Sequence, residues 1–343
     1  MRNDQAAERR CALTKEAYQY ARSEIDRCGS FGLPRAGTDQ AYLESQVMEY
    51  VASGNEWWAH PVGIAGIRIA PSELLVLLDP HTGVADGAPY PMTEYALDHL
   101  LPYVHSVVEV SGAIGLRAKA LSKTDLLLRS VGTSARVVLR GQPGTNWRQL
   151  LAERRCMDAC SRANGSRPLW SEPELTTYER AHMADFQSVS TAQRDRAALG
   201  SALLRRIGLF ERYSAAYSTK AWVKGTEWIL EFESAYDAAL GHDVLLDALT
   251  DPVFGLPLTV FRHHCNCAHA TPEWETSCVY HVGHSDLGSV QIRFRSAEVT
   301  ERERYRTTLT GAKAAQWWLD RVLPPGASRT ATGKRCKGMR GEA

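Results

Sequence analysis

Two runs rich in branched apolar residues, VGIAGIRIA over 62–70 and ELLVLLDP over 73–80, are separated only by Pro71-Ser72. Segments of this length and composition read as strands. So short a link makes them either hairpin partners or neighbouring buried strands, and any fold must accommodate a sheet early in the chain.

Helical patterns flank this element. Residues 5–27 carry an apolar stripe at Leu13, Ala17, Tyr18, Ala21 and Ile25, and GSFGLPRAG ends it near Cys28. A second helix is expected from Asp39 to Ala52, capped by Thr38, with Tyr42, Val47, Met48 and Val51 on its buried side. After the turn-rich HTGVADGAPYP, a helix fits MTEYALDHLLPYV and a strand fits SVVEV; a Gly-containing turn then leads into LRAKALSKTDLLLRSVG. Beyond ARVVLRGQPG the spacing predicts helices over 146–163, 173–184, 190–217, 226–240 and 243–249, with Ser190 and Gln193 at capping-box spacing in the longest. Strands return in LPLTVFRHHCNCA, SCVYHV and SVQIRFRS, followed by a helix over 301–323 opened by Thr300 and Glu303 and closed by Pro324-Pro325-Gly326.

The expected class is α+β or mixed α/β: a β-α-β-like N-terminal half, a helical middle, and a small antiparallel sheet with a terminal helix at the C-terminal end. Residues 1–165 and 166–325 read as two regions or as one domain from 1 to 325, and 326–343 as a basic flexible tail. No internal repeat is visible in the sequence.

Composition narrows the function classes. A chain of 343 residues, 44% hydrophobic and 23% charged with net charge +1, can bury a full core and has no overall bias toward a polyanionic partner. Its longest apolar runs are too short for a membrane span. The charged N-terminus MRNDQAAERRCALTKEAYQY lacks the apolar stretch of a secretory signal, so a cytoplasmic or particle-associated location is expected rather than secretion. The eight cysteines then read as thiols or metal ligands.

Three of those cysteines and five of the eleven histidines fall in FRHHCNCAHATPEWETSCVYHVGHSD, residues 261–286. On an extended strand His263, Cys265, Cys267 and His269 share one face, and a return through ATPEWETS would bring Cys278, His281 and His284 opposite. Zinc takes four N or S ligands in a tetrahedron, which makes Cys265, Cys267, His269, Cys278, His281 and His284 its candidate ligands. The competing reading is that these cysteines are small buried hydrophobes on strand faces. Four protein ligands would make the site structural. Three plus water would suit a zinc-dependent hydrolase, with Glu273 or Glu275 as base. Cys156 and Cys160, on a predicted helix with no nearby histidine, read as packing residues.

The segment LLPYVHSVVEVSGAIGLRAKALSK reads as helix, strand, Gly turn, helix, and resembles the first motif of the S-adenosylmethionine-dependent methyltransferases. The resemblance covers about 25 residues. It implies a cofactor site at 107–116, with Glu109 in the acidic position and Gly112 and Gly115 in the loop. Ser111 and Ala113 stand where that family has glycines, and Arg140 where its next strand ends in an acid. No phosphate-binding loop, nucleophile elbow or zinc-protease helix is present.

In the tail, Arg329, Lys334, Arg335, Lys337 and Arg340 face a single acid, Glu342, the composition of a short arm that neutralises phosphates without reading sequence. Taken together, the residues predict a non-catalytic structural or assembly protein, of the kind found in viral or phage particles. It would associate with itself or another protein, contact nucleic acid through its tail, and carry a structural zinc. The methyltransferase and the zinc hydrolase are the alternatives.

Overall fold

The two apolar runs pair as an antiparallel hairpin, β1 (Ile64–Ala70) and β2 (Glu73–Leu78), with Ile67 opposite Val76 and Ile69 opposite Leu74. Leu74, Val76 and Leu78 are buried while the residues between them are half-buried, the alternation of a strand with one face on the core. A computed structural model of the chain describes residues 3–322 apart from 30–31, 55, 71–72, 86, 105–109, 162–166, 186, 213–215, 235–241, 266–276 and 297–298. The fold is α+β, as the sequence predicts.

Ahead of the hairpin lie α1 (Asn3–Thr14), α2 (Tyr18–Cys28) and α3 (Thr38–Ala52). The single helix expected over 5–27 is broken at Lys15, whose φ of 61° is left-handed. Thr14 Oγ1 donates to the Arg10 carbonyl and accepts from the Glu16 N–H. The break turns Glu16 inward, where it accepts hydrogen bonds from Arg10 and from the Ile69 N–H. In α3 Thr38 is the first helical residue, and Gly37 occupies the capping position expected for it.

After β2, the ribbon β3 (Gly83–Ala85) and β4 (Ala88–Tyr90) leads into α4 (Met92–Leu100). A short pair follows, β5 (Tyr103–Val104) and β6 (Val110–Ser111), and then a meander of β7 (Leu116–Ala120), β8 (Asp125–Ser130) and β9 (Arg136–Arg140). β9 lies parallel to β2, which gives a five-stranded sheet in the order β1-β2-β9-β8-β7. The helix expected after Gly115 is therefore the strand β7, held by its antiparallel pairing with β8, whose Leu126 and Leu128 bury at period two.

The helical middle contains α5 (Trp147–Ser161), α6 (Thr177–Asp185), α7 (Gln187–Asp195) and α8 (Ala197–Leu204), with the two-residue strand β10 (Arg167–Pro168) pairing with β5. The helix expected over 190–217 is instead α7, α8 and a 3-10 turn at Ile207–Arg212, so Ser190 lies inside α7 rather than at its start. The helix expected over 226–240 is replaced by a second hairpin, β11 (Ala216–Lys224) and β12 (Glu227–Ser234), joined at Gly225 with φ 59°. Trp228, Ile229, Leu230, Glu231 and Phe232 are all buried, because β12 lies between β11 and β15, and this pairing prevails over local helix propensity. Then come α9 (His242–Leu249) and a meander of β13 (Thr259–Cys265), β14 (Ser277–His284) and β15 (Gly288–Ser296). The expected terminal helix is split at Lys313, φ 56°, into α10 (Val299–Gly311) and α11 (Gln316–Val322).

The second sheet has the order β11-β12-β15-β14-β13, with β12 parallel to β15 and the other pairs antiparallel. Both order and strand sense repeat the first sheet. Each sheet is preceded by a helix, α3 or α8, and has a helix between its hairpin and its meander, α4 or α9. The core positions coincide as well: buried Leu74 and Val76 face Val137 and Leu139 in the first sheet, as buried Trp228 and Leu230 face Val290 and Ile292 in the second. The chain is thus a structural tandem repeat, which the sequence conceals.

The two units share one core, and the equivalent helices α3 and α8 pack against each other. Between them Glu44 accepts both Nε and Nη2 of Arg205 at 2.7 Å and the Ser201 hydroxyl at 2.5 Å. A smaller cluster of Ala59, Val84, Leu309 and Trp318 seats α10 and α11 on the first unit.

Candidate metal centre

β13 is an edge strand of the second sheet, and its register on β14 decides what the cysteine and histidine cluster can do. Val260 lies opposite Val282, but the register slips at Phe261, so that Arg262 faces His281, His263 faces Tyr280 and Cys265 faces Cys278. An extra residue in one strand reverses which side chains point inward beyond it. The bulge therefore puts His263 and Cys265 on the core face shared by Cys278, Tyr280 and Val282.

The two thiols face each other with Sγ atoms 3.0 Å apart, Cys278 fully buried and Cys265 exposed at the sheet margin. His263 stacks on Tyr280 at 4.0 Å and 12°, and its Nε2 is buried with no hydrogen-bond partner among the described residues. Burial, helped by the neighbouring His264, holds the His263 imidazole below its ordinary pKa, which favours the neutral form a metal needs. His242, at the start of α9, stacks on Phe294 and meets Tyr280 edge-on. Burial, with His263 nearby, pushes it down to about 3. Ligand atoms of His263, Cys265 and Cys278 all lie within 4.8 Å of one another, so this group could hold a metal ion.

Two predicted ligands are not brought to this site. His281 projects from the opposite face of β14, where its Nε2 is 3.3 Å from Gln291 Nε2 and its Nδ1 3.7 Å from Glu227 Oε1. His284 lies at the far end of β14 and accepts the Asp286 N–H at Nδ1. The remaining two, Cys267 and His269, fall outside the described residues, as do Glu273 and Glu275.

The Gly turn of the methyltransferase-like segment has a different occupant. Glu109 lies outside the described residues; Gly112 and Gly115 have φ of 80° and 77°. The Gly115 N–H donates to Glu179 Oε1 at 3.0 Å, and the same carboxylate takes two hydrogen bonds from Arg117 and one from the Thr176 N–H. No helix follows the turn to complete an anion site, and the protein's own carboxylate takes up the loop N–H. Arg329, Lys334, Arg335, Lys337 and Arg340 of the tail lie outside the described residues.

A second group escaped the sequence reading. His60 precedes β1, while Asp79 and His81 follow β2, and each offers a ligand atom within 4.8 Å of the others. An antiparallel hairpin returns its two outer ends to one place. A histidine before the first strand and Asp-x-His after the second is therefore the signal that could have found the group.

No protein-family model, curated protein or solved structure matches the chain. No helix among the described residues is long and apolar enough to cross a membrane.

Proposed function

We propose that this is a structural protein in which a zinc ion, held by His263, Cys265 and Cys278, staples the edge strand β13 to β14. The observation that carries this reading is the convergence of two facing thiols with a buried imidazole nitrogen that has no hydrogen-bond partner among the described residues. Thiolate and imidazole donors suit zinc, at bonds of about 2.0–2.3 Å. Cys267 or His269, the next donors along the chain, would complete a four-ligand structural site.

The location suggests what the metal is for. β13 leaves its outer edge unpaired among the described residues, and Phe261 at the bulge is 62% exposed. A fixed, open edge offers main-chain hydrogen bonds to a strand from a second copy or another protein. The test is metal analysis of protein purified without chelators, paired with the mass of the particle in solution. The reading expects about one equivalent of zinc, absent from a Cys265→Ala/Cys278→Ala variant, and a loss of self-association with the metal. Wild-type protein with less than about a tenth of an equivalent would refute it.

A further inference from the structure

The hairpin of the first unit is closed by a buried carboxylate. Asp79 is 3% exposed; its Oδ2 accepts the His60 N–H at 2.6 Å and its Oδ1 the His81 N–H at 2.8 Å, while its own N–H donates to the Gly63 carbonyl. Among the described residues no lysine or arginine is within ion-pair distance of it. Burying a carboxylate away from water is unfavourable unless a cation accompanies it.

An aspartate that only ties two chain ends together would need neither imidazole. Here both converge on it. His60 is held in orientation from the other unit: its Nδ1 is 3.1 Å from Glu211 Oε1, in the 3-10 turn before β11, and the second oxygen of Glu211 pairs with Lys15. A carboxylate on the far nitrogen of a histidine is the usual outer support of a metal ligand, fixing its tautomer and direction. Trp317 lies over the group, with its ring 6.1 Å from His60 and 5.2 Å from His81. Its neighbour Trp318, fully buried, anchors α11 there.

We propose that His60, Asp79 and His81 form a second metal centre, distinct in chemistry from the thiol site, with Glu211 as the positioning residue for His60. Two imidazoles and one carboxylate suit a borderline divalent ion of the first transition row, such as iron(II), cobalt, nickel or zinc. Three protein ligands leave coordination positions for water or a small anion beside Trp317, the ligand number of reactive rather than purely structural sites.

The experiment uses the full chain carrying Cys265→Ala/Cys278→Ala, stripped of metal and titrated with cobalt(II). One equivalent should bind with visible ligand-field bands and no thiolate-to-cobalt charge transfer, quenching tryptophan emission by an amount that Trp317→Phe reduces. Adding His81→Ala, or His81→Gln if the smaller side chain unsettles the fold, should weaken binding by more than about 100-fold, and Glu211→Gln by about 10–100-fold. Should the double cysteine variant not fold, the wild-type chain serves: the centre then appears as a second equivalent lacking the charge-transfer band. Cobalt bound only with thiolate charge transfer, or binding that His81 substitution leaves unchanged, would overturn this centre while leaving the zinc reading of the thiol site intact.

Discussion

Arg205→Met is the sharpest test of how the two units are joined. The guanidinium is 2% exposed and makes two charge-assisted bonds to Glu44, itself fully buried, and a third to the Pro34 carbonyl. Methionine fills much of the same volume but strands the carboxylate with, among the described residues, only the Ser201 hydroxyl and Gln40 Nε2 as donors. Removing one partner of a buried pair destabilises by about 3–5 kcal/mol, because the other charge stays desolvated. That is roughly two to three and a half powers of ten in the folding equilibrium. Replacing both partners in Glu44→Leu/Arg205→Met removes the stranded charge and should recover all but about 1 kcal/mol. Urea unfolding followed by tryptophan emission measures the cycle, since buried Trp228 packs against α8 through its bond to the Arg196 carbonyl. A single variant that loses less than about 1 kcal/mol, or a double variant as unstable as the single, would refute the argument.

Glu179 gives the pH prediction. Burial raises its pKa, but the Arg117 bonds and the Thr176 and Gly115 N–H groups outweigh that, and the folded carboxyl sits below its ordinary value of 4.5. Its contribution is therefore complete above about 4.5 and is lost as pH falls through the lower folded value; Glu179→Gln should flatten the acid limb of stability against pH by up to about 1.4 kcal/mol per pH unit. An unchanged acid limb would contradict this. Gly112 tests the reading of the turn. A Cβ there would lie 2.4 Å from the Leu101 carbonyl oxygen, whereas at Gly132, with a similar φ of 77°, it would meet nothing within 4 Å. Both alanine variants should lose about 1–3 kcal/mol from the backbone, with Gly112→Ala losing clearly more. Equal losses in thermal unfolding would show that the close approach to Leu101 is unimportant.

The sequence revealed elements whose apolar runs are bounded by turn or capping residues, such as β1, β2, α3 and the C-terminal meander. It misled where residues of good helix propensity lie in strands: the stretch after Gly115 forms a hairpin with the next strand, β8, and the stretch after Gly225 pairs with β11 on one side and on the other with β15, a distant partner that no local window contains. The repeat was hidden because equivalent core positions share only apolar character, Trp228 standing where the first unit has Leu74. At the thiol site the shared face of His263 and Cys265 was legible from strand parity. Parity also puts Cys278 and His281 on opposite faces of β14, but which of them shares the face of His263 and Cys265 was not legible, since it depends on the bulge at Phe261. Asp79 and its two histidines went unrecognised because the signal, a histidine before one strand and Asp-x-His after the next, becomes a cluster only once the two runs are taken as an antiparallel hairpin rather than as neighbouring buried strands.

The repeated architecture has a consequence for how such a pocket can arise. If two identical half-length subunits met across a two-fold axis, every contact away from that axis would have to occur twice, residue i on residue j and j on i. Joining the halves in one chain removes that restriction. His60 before β1 then meets Glu211 before β11, a base and an acid from corresponding segments of the two units. The covalent link thus lets the two halves diverge in sequence, so that this contact occurs once per molecule rather than as a symmetric pair.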